Sequence, residues 1–172
     1  MKKRVDLPEK KYEGYIFDLD GTLVDSMPLH YRAWREALAR AGAPDHVFRA
    51  DEFYSCGGKS ANDVVRFLNE RYGMHMDAAS TAADKRRIYL EMLEKEGMQP
   101  IREVVEFVHS LGDAPKAIAT GSAMPGASRT LAAAGLSGLF DVILTPDEVE
   151  HGKPAPDMFL KAAELLGVSP DR

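Results

Sequence analysis

Two aspartates one residue apart, Asp18 and Asp20, stand directly behind a short apolar run, Gly14-Tyr15-Ile16-Phe17, and are followed by Gly21 and Thr22. The run is too short for a helix and is aromatic and β-branched, which predicts a buried strand of the parallel type. Carboxylates in the middle of such a strand would be costly, whereas at its end they can meet a cation and water. Ligands of open α/β sheets bind at the carboxyl ends of the strands. At ordinary residue usage Asp-x-Asp-Gly-Thr arises by chance at about one position in 10⁵. The competing reading is a polar strand end in which Asp20-Gly21 makes only a turn.

Downstream, the pattern first turns wholly helical. Ser26 and Pro28 open a helix whose stripe is Leu29, Ala33, Trp34, Ala37, Leu38 and Ala41, and Gly42 closes it. Residues 43–60 read as loop. Gly57-Gly58-Lys59-Ser60 leads into a helix through Val64, Val65 and Leu68 that stops at Gly73, and a long helical pattern over 77–96 closes at Gly97. The rhythm then alternates: a helical stripe at Ile101, Val104, Val105 and Val108, a strand over 117–120, a helix over 126–134, a strand over 140–144 and a helix over 156–166. Alternation of this kind predicts an α/β fold, a three-layer Rossmann-like core with a parallel sheet. Residues 1–24 and 98–172 are expected to form that core, and 25–97 a helical cap inserted after the first strand.

Charge and cysteine content narrow the partners. Lys and Arg number 22 against 27 Asp and Glu, a net charge of −5, which leaves no electrostatic footprint for nucleic acid or an anionic membrane. The single cysteine, Cys56, allows no internal disulfide and fits a reducing compartment. The basic start Met1-Lys2-Lys3-Arg4 is not followed by an apolar stretch, so a cytoplasmic protein is expected. The five histidines and Cys56 show no zinc-type spacing.

Two carboxylates at this spacing suit covalent phosphoryl transfer. Asp18 is placed to attack phosphorus, splitting one hard step into two through an aspartyl phosphate. Asp20 is placed to protonate the departing oxygen and then to take a proton from the incoming water or alcohol. A carboxylate repels a phosphate dianion, so a divalent cation is expected, Mg²⁺ by default for hard oxygen ligands.

At these residues the chain resembles the haloacid dehalogenase superfamily over nearly its whole length. Asp18-Leu19-Asp20-Gly21-Thr22 matches the family's first motif. Thr120-Gly121-Ser122, behind a strand, resembles its second motif, and Lys153 in His151-Gly152-Lys153-Pro154-Ala155-Pro156-Asp157 resembles its third. The resemblance implies that Asp18 is nucleophile and metal ligand, and that Asp20 is acid/base and offers its backbone carbonyl to the metal. It implies that Thr120 hydrogen-bonds the transferring phosphoryl group and that Lys153 stabilises its charge. Gly21, Thr22, Gly121 and Ser122 are expected to flank the substrate phosphate. Lys59 of the cap loop is expected to read the substrate, with a plain solvated lysine as the equal alternative, and His30, near the hinge, is expected among the substrate-binding residues. Val24-Asp25-Ser26-Met27-Pro28-Leu29-His30 and the size of the cap are similar to the β-phosphoglucomutase and sugar-phosphatase branch.

The sequence departs from that family in two places. After Gly167-Val168-Ser169-Pro170-Asp171-Arg172 the family's fourth motif, an acidic pair completing the metal site, is missing. The expectation is a C-terminally truncated core with an uncovered first-strand edge, or an oligomer that swaps in or augments with a strand. Ala123-Met124 stands where mutases of the branch carry a phosphate-gripping lysine, which favours hydrolysis. The expected function is therefore a Mg²⁺-dependent phosphomonoester hydrolase for a small sugar phosphate or related metabolite. A hexose-phosphate mutase and a non-catalytic homologue are the alternatives.

Overall fold

The computed structural model describes residues 12–170. The basic start at residues 1–4 and Asp171 lie outside the described residues. A three-stranded parallel sheet has the order β1 (Tyr15–Phe17), β2 (Lys116–Ala119), β3 (Val142–Leu144), with Phe17 opposite Ile118 and Ile118 opposite Ile143. The two-residue alternation of a strand divides the core between the faces of the sheet. Ala117, Ala119 and Leu144 pack against Met158 and Ala162 of α7 (Asp157–Leu166). Ile118, with Phe17 and Ile143, faces Val104, Val105 and Val108 of α5 (Arg102–Ser110) and Ala127 and Leu131 of α6 (Met124–Ala133). The result is helices on both faces of the sheet, the three-layer α/β arrangement that strand–helix alternation predicted.

Between β1 and α5 the chain is helical: α1 (Met27–Arg40), α2 (Ala50–Ser55), α3 (Ala61–Tyr72) and α4 (Ala78–Glu96). Local chemistry sets most of their ends. The Ser60 and Asp77 side chains accept from the N–H groups of Asp63 and Ser80, and Gly73 closes α3 in the left-handed conformation. Helix α2 falls inside the segment read as loop. It spans six residues and buries only Phe53, too short for a period to show. The predicted helix starting at residue 126 begins two residues earlier, with Pro125 in its first turn.

The apolar residues of this helical insert serve two clusters. Trp34, Leu38, Val47, Phe48, Phe53, Val64, Val65 and Leu68 pack among themselves. Leu29, Ala33 and Ala37 of α1 and Ile88, Tyr89 and Leu93 of α4 instead share a cluster with Leu19, Ile118 and Leu131. Helices α1 and α4 are thus fixed to the sheet unit by their inner faces, while α2 and α3 ride outside them. Among the described residues β1 pairs on one side only, with β2. No helix among them is long and apolar enough to cross a membrane.

Candidate active site

The chain leaves β1 at Phe17 and folds at once into a tight turn. The Gly21 N–H donates to the Val24 carbonyl at 2.9 Å, and the N–H groups of Thr22, Leu23 and Val24 all return to the Leu19 carbonyl. Gly21 has φ +75°, and a Cβ there would stand 2.9 Å from Met27 Cγ, so glycine is required twice over. Leu19, fully buried, anchors the turn, so Asp18 and Asp20 on either side project from the strand end.

Each carboxylate has its own company. Asp18 Oδ1 accepts from Lys153 Nζ at 2.8 Å, and the same ammonium donates to the Ala119 carbonyl at the end of β2, 2.7 Å away. Asp20 is more enclosed: Oδ1 accepts from Ser26 Oγ at 2.6 Å and faces His30 Nε2 at 2.9 Å, and Oδ2 accepts from Ser122 Oγ at 2.7 Å. Behind His30, Lys85 Nζ lies 2.8 Å from Nδ1. Lys85 is buried and its ammonium lies 5.5 Å from the centre of the Trp34 ring and 5.4 Å from that of Tyr89.

This chain of contacts assigns the protons. An ammonium only donates, so His30 Nδ1 must accept from it and carries no hydrogen; Nε2 then holds the imidazole proton and donates to Asp20. Burial, and next the Lys85 charge, lower the proton affinity of His30 against the opposing pull of Asp20, which agrees with a neutral ring. Burial alone would raise the Asp20 pKa, but His30 together with the Ser26 and Ser122 hydroxyls holds it well below the usual carboxylate range. Burial lowers the Lys85 pKa to about 8, partly opposed by the Asp20 charge. The arrangement is carboxylate, neutral imidazole and ammonium in a row.

A cavity of about 570 Å³ opens over the pair, and Asp18, Asp20, His30, Lys59, Gly121, Ser122 and Lys153 all border it. Gly21, Thr22 and Thr120 do not. Gly21 and Thr22 stay in the turn, and Thr120 is fully buried with its Oγ1 accepting from the Ser122 N–H at 3.1 Å. The hydroxyl of the second motif that reaches an aspartate is that of Ser122. Trp34, Phe48, Phe53 and Val64 supply an apolar wall from the helical insert, and Lys59 and Arg86 stand on its rim with no ion pair among the described residues. No group of three or more His, Cys, Asp or Glu able to hold a metal occurs among the described residues.

The loop before α3 lies directly on the sheet end. Gly58 sits so close to Lys153 that a Cβ on it would be 3.4 Å from Lys153 Cβ, and a Cβ on Gly121 would be 3.0 Å from the Gly58 carbonyl oxygen. Since that neighbour is backbone, Gly121→Ala must push the loop outward. We expect this substitution to raise KM on the order of tenfold, with the melting temperature changed little, in steady-state kinetics. An unchanged KM would show that the loop does not contact bound substrate.

Sequence reasoning missed three of these residues. Ser26 sits at the N-cap position of α1 but makes no capping bond, because Asp20 takes its hydroxyl. Lys85 was hidden as one lysine in a long charged helix, although it falls on the buried stripe of Thr81, Ala82, Ile88 and Tyr89, where a lysine is out of place. Tyr89 carried no signal beyond that stripe.

The fold and the strand-end site define a hydrolase class that the sequence comparison bears out. The chain belongs to the haloacid dehalogenase-like hydrolases, whose family model matches residues 12–172. It is 34% identical over 162 residues to the fructose-1-phosphate phosphatase of Escherichia coli K12, covering 94% of this chain and 84% of that enzyme. Over 191 aligned positions it is 34% identical to a β-phosphoglucomutase of Mycobacterium tuberculosis, covering 96% of this chain and 72% of the relative. A solved hydrolase structure from Pseudomonas syringae superimposes with a TM-score of 0.79 at 29% identity, covering 92% of this chain and 72% of that one.

Proposed function

We propose that this hydrolase releases phosphate from a small sugar phosphate or a related metabolite through an aspartyl phosphate on Asp18. The observation that carries the proposal is the pairing at the strand end. One carboxylate, Asp18, is open to the cavity and tied to a lysine at 2.8 Å; beside it the enclosed Asp20 is held by donors on both oxygens. Lys153 neutralises charge on the nucleophile and on the incoming phosphate. The Asp18 side chain is 38% exposed, so its carboxylate can reach phosphorus.

Asp20 is the group that moves the proton. With donors on both oxygens it stays a carboxylate, the form that can take a proton from the water that hydrolyses the phosphoenzyme. Protonating the leaving oxygen in the first half-reaction requires Asp20 to take up a proton against the donors that surround it, so those donors set its timing. The helical segment 25–97 acts as a cap that excludes bulk water, with Gly58 laid on Lys153 and Gly121 as its closing contact. Lys59 and Arg86, on the rim, read the anionic or hydroxylated part of the substrate.

A Mg²⁺ ion fits the donor set in one way. All three donors around Asp20 occupy its carboxylate, so the residues that would hold the ion are Asp18, through its carboxylate, and Asp20, through its main-chain carbonyl. Mg²⁺ commonly keeps several waters and binds through one or two carboxylates and substrate phosphate oxygens, which this oxygen-only set allows. When bound it offsets repulsion between the Asp18 carboxylate and the phosphate. A hydrolase is favoured over a mutase because Ala123, Pro125 and Gly126 line the cavity beside the second motif and place no cation there.

Phosphate release from a sugar-phosphate panel tests the reading. We expect release in Mg²⁺ that falls at least about 100-fold in chelator and returns on adding the ion back. Interconversion of hexose 1- and 6-phosphates without net phosphate release would establish the mutase instead. No turnover of any phosphomonoester would leave a binding protein.

A further inference from the structure

We propose that Tyr89 is a positioning residue that holds His30 against Asp20 and ties that hold to the seating of α4 on α6; the inference rests on the proton-moving role of Asp20 given above. Tyr89 is 3% exposed and lies on α4, four residues from Lys85. Its ring stacks flat on the His30 imidazole, with centroids 4.0 Å apart and planes within 9°. Its hydroxyl is hydrogen-bonded to Thr130 Oγ1 at 2.7 Å, and Thr130, 1% exposed, belongs to α6.

An imidazole held only by one hydrogen bond at each nitrogen can still swing about the line joining them. A ring lying flat on its face removes that freedom. With Tyr89 in place, Nε2–H can point only at Asp20 Oδ1 while Nδ1 meets Lys85. The Thr130 bond adds a further dependence. Helix α6 begins just after Ser122, whose hydroxyl holds the other Asp20 oxygen. Tyr89 therefore joins the helix that carries Lys85 to the helix whose start carries the Ser122 contact, and both sides of the Asp20 carboxylate depend on how α4 and α6 meet. Burial pushes the phenol pKa up, so Tyr89 stays uncharged at working pH and acts through shape and one hydrogen bond.

The test uses the full chain with ¹⁵N-labelled histidine and three variants, Tyr89→Leu, Tyr89→Phe and Thr130→Val. In the wild type the His30 ring, assigned by its absence in His30→Gln, should show one tautomer with the proton on Nε2. Tyr89→Leu should give mixed tautomers and a kcat on p-nitrophenyl phosphate lower on the order of 100-fold at a KM within about twofold of wild type. Tyr89→Phe and Thr130→Val keep the stack and lose the tie, so they should keep the single tautomer and lose roughly tenfold in kcat. A purely structural tyrosine would lower the melting temperature and leave the His30 signature and kcat per folded molecule unchanged; that result overturns the proposal. Should Tyr89→Leu not fold, kcat within about twofold of wild type in both other variants overturns it equally. If the wild type releases no phosphate, the hydrolase reading fails, and the tautomer comparison still decides whether Tyr89 positions His30.

Discussion

Replacing Asp18 with asparagine is expected to lower phosphate release by at least about 10⁴-fold, because the amide oxygen cannot form the acyl phosphate through which the reaction is split. The same substitution should leave the fold intact. Asparagine still offers Lys153 Nζ an acceptor in place of the carboxylate oxygen now 2.8 Å away, and the lysine keeps its bond to the Ala119 carbonyl at 2.7 Å. A lysine left half-paired in a site that is 12% exposed loses some attraction but not its hydrogen bonds. Thermal melts should place the variant within a few degrees of wild type, and mass spectrometry after a brief pulse of substrate should find a phosphate on the wild type only. Release above one hundredth of the wild-type rate (on the order of 10²-fold down or less) would remove Asp18 from the nucleophile's role.

Replacing Lys85 with methionine should separate stability from catalysis in the opposite sense. Methionine fills the lysine's place between Trp34 and Tyr89 without a charge to bury, and a cation taken out of water among apolar rings is expensive. Stability at neutral pH is therefore expected to be equal to or above that of the wild type. Catalysis should fall on the order of 100-fold in kcat, because His30 loses the donor that fixes its tautomer and can then take up a proton itself, which changes the charge facing Asp20.

The pH dependence gives this pair of proteins another, signed difference. Burial lowers the Lys85 pKa from 10.5 to about 8, so the unfolded chain holds this proton more tightly than the folded one. Below about pH 8 both states carry it and the folded state bears the full cost of the buried charge. As pH rises from about 8 to 10.5 the folded protein releases it first, and stability contributed by this group rises, by about 3 kcal/mol over the window at 1.36 kcal/mol per unit. Denaturant midpoints across that range should climb in the wild type relative to Lys85→Met. Parallel curves for the two proteins would mean that folding leaves the proton affinity of Lys85 unchanged.

Much of this architecture was legible because the signals that specify it are local. A strand too short to be a helix, two aspartates at its end, a glycine in the turn, and capping residues such as Ser60 and Asp77 act on neighbours within four residues. They fixed the α/β class, the helical insert after β1 and the placing of Asp18 and Asp20. The part of the site that came from spacing was the aspartate pair; Lys153 and the second motif entered through family resemblance. Within that motif the residue bonded to Asp20 is Ser122, while Thr120 is buried below it.

What surrounds Asp20 was decided only by tertiary structure. Ser122 and Lys153 meet the aspartates across 102 and 135 residues, and Lys85 meets His30 across 55. Periodicity says which face of a helix is buried but not which buried face it meets, so Lys85 could be flagged as out of place on its stripe without its partner being named. Ser26 shows the limit most plainly: its hydroxyl is equally suited to cap α1 or to hold a carboxylate, and the choice follows from the fold bringing Asp20 within 2.6 Å. Local chemistry determined that two carboxylates would stand at the mouth of the sheet. Packing between distant helices determined that one is held open beside a lysine and the other enclosed by donors, the asymmetry on which the roles proposed for them rest.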